Sequence, residues 1–343
     1  MNMRQAVMTS PGVIVYRDVP VPRIKDDEVL VKVMEIGVCG SDVHVYHGLH
    51  PYTPYPVVQG HEVSCEVESV GKDVTGFAKG DKVTIEPQVS CGKCHSCRQG
   101  LYNICDKLKV IGFQTPGAAS DFFPVPANKL VKLPPSMTHS EGALMEPLSV
   151  AVRAVKQAGD VKGKKILVLG AGPIGNLVAQ AAKGLGAAKV MIADLNDFRL
   201  KKAKECGIDY AVNPSKQDLA AEVALKFGAD ERADVIFECV GANATMDAAI
   251  DIARKGTPIV VVGVFGKKAS VDLAKVNENE LRLIGTARYV IEDFQTAKDL
   301  VAVGAVTLAP LVSDVFDFSE YDKAYKKIHD NPEETMKVLI RLH

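Results

Sequence analysis

The 343-residue chain has no surplus charge of either sign: 41 basic and 42 acidic residues leave a net charge of −1. Neither a nucleic acid nor an anionic membrane surface is therefore expected as a partner. No apolar run is long enough to span a bilayer, which argues against a membrane helix. The first residues, Met1-Asn-Met-Arg-Gln-Ala6, lack the apolar core of a secretory signal, so a cytoplasmic location is expected. Internal repeats and low-complexity tracts are missing. Tryptophan is missing too, and nothing follows from that. Without a secretion signal, the eight cysteines are expected to ligate metal or to be buried, not to form a disulfide framework.

What is present is ordinary for a soluble globular protein: 47% apolar and 24% charged residues. The length favours two domains. Residues 1–150 are rich in β-formers punctuated by Gly and Pro. Val13-Ile-Val-Tyr16, Val29-Leu-Val-Lys-Val33 and residues 63–70 and 82–85 read as strands of an irregular β module. Within it lie Cys39-Gly-Ser41-Asp-Val-His44 and Gly60-His61-Glu62. A thiolate, an imidazole and a carboxylate suit a zinc ion that keeps a position open for a water or alcohol oxygen. Cys39 and His61 are the expected direct ligands. Glu62 either completes the set or orients it from behind.

Cys91, Cys94 and Cys97 follow at intervals of three, with Cys105 eight residues further on. Four thiolates close a tetrahedron round a second, structural zinc and leave no position for chemistry. Cys65, Cys206 and Cys239 read as buried thiols, His95 as solvated, and His47 and His50 as surface histidines.

From about residue 143 the pattern turns to alternating helix and strand. Residues 143–158 read as a helix carrying Glu146. A continuous apolar run, Lys164-Lys-Ile-Leu-Val-Leu-Gly170, reads as a buried parallel strand. It feeds into Gly170-Ala-Gly172-Pro173-Ile174-Gly175 and a small-residue helix. The second strand ends at Asp194. Strands near 233–238, 258–262 and 281–284 alternate with helices near 197–206, 216–227 and 243–254. This is a doubly wound parallel sheet, so the chain is α/β, with a nucleotide-binding domain over 151–290. Gly170 permits the turn, Gly172 lets a pyrophosphate approach, and Gly175 lets helix and sheet pack closely. Asp194 can accept both ribose hydroxyls and would repel a 2′-phosphate, which favours NAD over NADP. Arg199 is the counterweight, or lies against the adenine. After about 291, a helix, a Phe-rich connection, a second helix and a final strand at 336–340 are expected. That strand would return to the first domain.

Together these motifs resemble the zinc-dependent medium-chain alcohol and polyol dehydrogenases, over nearly the whole chain. Glu146-Pro-Leu, with Glu where alcohol dehydrogenases carry Cys, and Arg288-Tyr289 after Gly285-Thr-Ala are similar to the sorbitol (L-iditol) dehydrogenase branch. The ligand pattern also resembles L-threonine 3-dehydrogenases and polyol-phosphate dehydrogenases. The resemblance implies a GroES-like catalytic β domain, 1–150 completed by about 291–343, with the Rossmann domain inserted and the active site in the cleft. It implies zinc and NAD as cofactors, a polyol or sugar-derived secondary alcohol as substrate, and a homo-oligomer, dimer or tetramer. It also implies that Glu146 ligates zinc or acts through its water, that Ser41 and His44 relay the proton, and that Arg288 and Tyr289 contact substrate. Two stretches depart from the branch: Thr115-Pro-Gly-Ala-Ala-Ser-Asp-Phe122, and Val45 directly after His44, with Tyr46 one place later. The rivals are a metal-free quinone-reductase-like oxidoreductase and a non-catalytic NAD-binding structural or sensor protein.

Overall fold

Strand Glu28–Gly37 shows how the β module is built. Val29, Val31, Val33 and Ile36 are fully buried along it, in a run too apolar for a strand with one wet face. In the computed structural model, which describes residues 1–343, this strand lies at the centre of a seven-stranded sheet. Its spatial order is Val312–Asp317, Lys337–Arg341, Glu28–Gly37, Glu62–Val70, Lys82–Ile85, Leu130–Lys132, with Phe122–Pro126 also pairing on Glu28–Gly37. Val31, Val63, Cys65, Val83, Val125, Val338 and Ile340 share one core. Fully burying each of these valines and the isoleucine stabilises by about 1.5–3 kcal/mol. A hairpin of Asn2–Ser10 and Val13–Pro20 adds Ala6 and Met8 to it.

The second sheet is wholly parallel. Its order is Tyr210–Val212, Lys189–Ala193, Lys165–Leu169, Val235–Glu238, Pro258–Val261, Arg282–Gly285. Counting these strands along the chain gives 3-2-1-4-5-6, the doubly wound order expected of a Rossmann domain. Helices Pro173–Gly184, Asp197–Glu205, Leu219–Phe227 and Asn243–Ile252 alternate with them. Leu167, Met191, Ile236 and Ile259 pack with Phe227 and Met246 in a separate core.

The chain divides into two compact units, Met1–Glu146 with Val312–His343, and Pro147–Leu311. The expected return at about 291 is therefore corrected to 312. Helix Ile291–Ala302 stays with the parallel-sheet unit because its contacts lie there. Asp293 of that helix accepts a hydrogen bond from Lys156 Nζ at 2.8 Å, and beyond the helix the Thr307 N–H donates to Gln180 Oε1 at 2.7 Å. The Phe-rich stretch expected as a connection is strand Val312–Asp317, paired in parallel with Lys337–Arg341. No helix is long and apolar enough to cross a membrane.

Candidate active site

Cys39 sits where strand Glu28–Gly37 gives way to helix Gly40–Tyr46, as that helix's N-cap. The Asp42 carboxylate reaches back and accepts the Cys39 N–H at 3.0 Å, a capping contact that fixes the turn. Glu62 opens strand Glu62–Val70 beside it and His61 immediately precedes that strand, both buried. The donor atoms of Cys39, His61 and Glu62 all lie within 4.8 Å of one another. Glu146, in the first turn of helix Met145–Gln157, is buried but stands outside that group. Ser41 and His44 follow Cys39 on the short helix, three residues apart and so on one face. Ser41 is half-buried and His44 exposed.

Two charged partners support the three donors. Lys337, on the returning strand, donates to Glu62 Oε1 at 2.8 Å and Oε2 at 2.6 Å while only 4% exposed. Burial pulls its ammonium down, but the carboxylate of Glu62, with Cys39 and Glu146 nearby, outweighs that and raises its pKa. Asp42 Oδ1 lies 3.5 Å from His61 Nδ1, which has no hydrogen-bond partner. Burial lowers the His61 pKa. The Asp42 carboxylate and then Cys39 more than reverse it, and the pKa stands well above the usual imidazole value. A soft thiolate, an imidazole with a carboxylate behind it and a buried carboxylate form a donor set that fits zinc.

Cys91, Cys94, Cys97 and Cys105 bring four sulfurs together within 4.8 Å of one another. Backbone N–H groups of Cys91 and Lys107 donate to Cys105 Sγ, both at 3.3 Å, and that of Cys94 to Cys91 Sγ at 3.4 Å. Such donors stabilise thiolates over thiols. This set also fits zinc, with no side chain left over for chemistry. His95 in the same loop is exposed.

In the parallel-sheet unit, Gly172 caps helix Pro173–Gly184 with Pro173 in its first turn. A Cβ added at Gly175 would lie 1.9 Å from the Gly170 carbonyl oxygen, whereas one at Gly172 would meet nothing within 4 Å. The first glycine is required by packing and the second leaves a cradle. Asp194 follows strand Lys189–Ala193. Its carboxylate accepts the N–H groups of Ala171 at 2.7 Å and Asn196 at 2.8 Å. Those bonds hold it against the glycine loop with lone pairs to spare. Arg199 is half-buried in helix Asp197–Glu205, its N–H donated to the Asn196 cap. The loop, free helix N–H groups and acidic residue fit a dinucleotide.

Residues 25–135 match the alcohol dehydrogenase GroES-like domain, and residues 173–303 match the zinc-binding dehydrogenase domain. The chain belongs to the zinc-type medium-chain alcohol dehydrogenases. It is 38% identical over 314 residues to a 2-dehydro-3-deoxy-L-galactonate 5-dehydrogenase of Pseudoalteromonas atlantica, covering 91% of each chain. It is 37% identical over 347 residues to sorbitol dehydrogenase 1 of Saccharomyces cerevisiae, covering 97% of this chain and 96% of that one. A solved alcohol dehydrogenase from Escherichia coli CFT073, complexed with the cofactor NADH, superposes with a TM-score of 0.91 at 29% identity over 99% of each chain.

Within this dehydrogenase the pair Arg288-Tyr289 divides. Arg288 is exposed, with φ at +52°, while Tyr289 is 1% exposed and packs edge-to-face on Phe294 at 5.0 Å between centroids. Tyr289 is a core residue of the parallel-sheet unit. The reading of His50 as a surface histidine is corrected. It is half-buried, bonded through Nδ1 to Thr53 Oγ1 at 2.8 Å, with its ring 5.1 Å from Phe113. Cys206 and Cys239 are half-buried, and only Cys65 is fully enclosed. Sequence reasoning missed Lys337 and the Asp42 support.

Proposed function

We propose that this dehydrogenase oxidises a secondary alcohol of a polyol or sugar-derived substrate to the ketone, reversibly, with zinc and NAD. The observation that carries the reading is the convergence of Cys39, His61 and Glu62 on one point beside a buried Lys337. The polyol and sugar-acid names of the two relatives support the substrate class. Cys39, His61 and Glu62 would hold the catalytic zinc, and Cys91, Cys94, Cys97 and Cys105 the structural one. Glu146 would act beside the metal through a water, since it lies outside the three-donor group. Gly170, Gly172, Pro173, Ile174 and Gly175 would cradle the pyrophosphate. Asp194 would accept the ribose hydroxyls, and its charge favours NAD over NADP. When bound, zinc supplies a Lewis acid for the alcohol oxygen and NAD an acceptor for hydride, so that alcohol and NAD become ketone, NADH and a proton.

The chain's own groups manage that proton and the substrate's orientation. Ser41 Oγ would accept the hydroxyl proton as its own is released toward the His44 imidazole, which is exposed on the same helix face and would pass a proton on to solvent. Arg288 is assigned to a substrate hydroxyl or carboxylate. Four thiols gathered as metal ligands, with no disulfide, support a reducing, cytoplasmic setting. A homo-oligomer, dimer or tetramer, is supported by the edge strand Arg282–Gly285 with Leu283, Val264 and Leu273 exposed nearby in sequence.

The test is NADH formation across polyols, sugar acids, polyol phosphates and L-threonine, with NAD and NADP, on protein of known zinc content. Turnover of one polyol or sugar-acid class with NAD, on protein holding zinc at both sites, is the expected result. Protein loaded at both sites but idle on every secondary alcohol would refute the catalytic reading.

A further inference from the structure

We infer that Gln59 and Tyr325 are positioning residues for His61, acting through Asp42; this rests on reading Cys39, His61 and Glu62 as zinc ligands. The groups form one chain of contacts. Tyr325, on helix Tyr321–Asp330, donates its hydroxyl to Gln59 Oε1 at 2.6 Å. Gln59 Nε2 donates to Asp42 Oδ1 at 3.0 Å. The same Asp42 oxygen is the one that faces His61 Nδ1. Tyr325, Gln59, Asp42 and His61 are all buried, at 1, 2, 2 and 5% exposure.

The chemistry fixes the direction of every bond. An ionised Asp42 only accepts, so the Gln59 amide must turn its NH2 toward it and its oxygen toward Tyr325. The tyrosine is then the donor. Its ring is held by stacking on Tyr46, 4.6 Å between centroids and 5° between planes. Asp42 is thereby pinned at both oxygens, by the Cys39 N–H at Oδ2 and by Gln59 at Oδ1. An Asp42 held this way favours the His61 tautomer with its proton on Nδ1, leaving Nε2 unprotonated for a metal. Gln59 precedes the Gly60-His61 step, and Tyr325 belongs to the returning C-terminal segment. The contacts thus tie a ligand near residue 60 to a helix far later in the chain, with Tyr325 lying 266 residues after Gln59.

The test compares the zinc-loaded protein with Gln59→Leu and Tyr325→Phe by graded chelator competition, with melting temperature followed alongside. Cobalt exchange separates the two metals, because a four-thiolate site and a one-thiolate site absorb differently. Gln59→Leu is expected to loosen zinc at the Cys39 site by about 10–100-fold, the usual cost of losing an outer partner of a ligating histidine. The four-cysteine metal should resist the chelator as before. Tyr325→Phe keeps the ring and its stacking and should shift the same site in the same direction by a smaller factor. Affinity at the Cys39 site unchanged within about twofold in both variants, well inside that cost, would overturn the inference. Equal weakening of both metals with a lower melting temperature would overturn it too, because that is loss of fold. A failure of the underlying zinc reading looks different: the unaltered protein would then hold metal only at its four cysteines.

Discussion

Lys337 is the residue whose removal most directly probes the charge at the site. Its ammonium and the Glu62 carboxylate are both shielded from water, with side chains 5 and 2% exposed. Breaking such a pair from one side leaves a lone buried charge and costs about 3–5 kcal/mol. Lys337→Met keeps most of the volume and removes only the charge. Metal-free protein should lose that stability in full. Zinc-loaded protein should lose less, because the metal's charge also faces Glu62. Urea unfolding of the two forms side by side measures the difference, and an equal loss in both would contradict a shared role for Glu62. Cys39→Ser should behave otherwise. The hydroxyl is a poor zinc ligand, so turnover should fall below detection, while NAD should still raise the melting temperature because the glycine loop is untouched. Loss of NAD protection in that variant would show that Cys39 does more than hold metal.

At the scale of elements, the glycine loop offers a sharper contrast. Gly172 has φ −62° and ψ 178°, which alanine adopts freely, and its Cβ would meet no protein atom within 4 Å. Gly172→Ala should therefore stabilise the protein slightly, by up to about 1 kcal/mol. It should also weaken NAD by about tenfold or more, 1.4 kcal/mol or above, because the methyl enters the pyrophosphate cradle. Gly175→Ala places a methyl against the Gly170 carbonyl and should cost about 1–3 kcal/mol or more of stability. Thermal melts with and without NAD separate the two outcomes. This loop was legible in the sequence because its information is local: a strand, three glycines at fixed spacing, a helix and an acid at the next strand end. The four-cysteine lobe was legible for the same reason. Asp42 behind His61, Gln59 behind Asp42 and Lys337 against Glu62 were not. Each acts across 17 to 275 residues of sequence, and no local pattern marks a lysine at a strand start as the partner of a glutamate near residue 60.

The whole molecule sets the last limit on what sequence could show, and its last test. Helix Ile291–Ala302 is amphipathic and could cover either sheet. Only the tertiary partners Lys156 and Gln180 assign that region to the Rossmann unit and move the boundary to 312. Each unit so defined has its own core, one around Val31, Val63 and Ile340 and the other around Leu167, Met191 and Ile259. Their stabilising ligands should therefore act on different unfolding steps. NAD at a hundredfold excess over its Kd adds about 2.7 kcal/mol to the state that binds it. For a unit of this size that raises the melting temperature by about 5–10 °C, and the rise should fall on the Pro147–Leu311 step. Stripping zinc from the four-cysteine lobe should lower the step of the other unit and leave the NAD-dependent one in place. Calorimetry of the native protein, the chelated protein and the NAD complex reads both shifts in one series. A single transition that moves as a block with either ligand would mean that the two cores unfold cooperatively, and that a metal lost from the β unit is felt at the nucleotide loop.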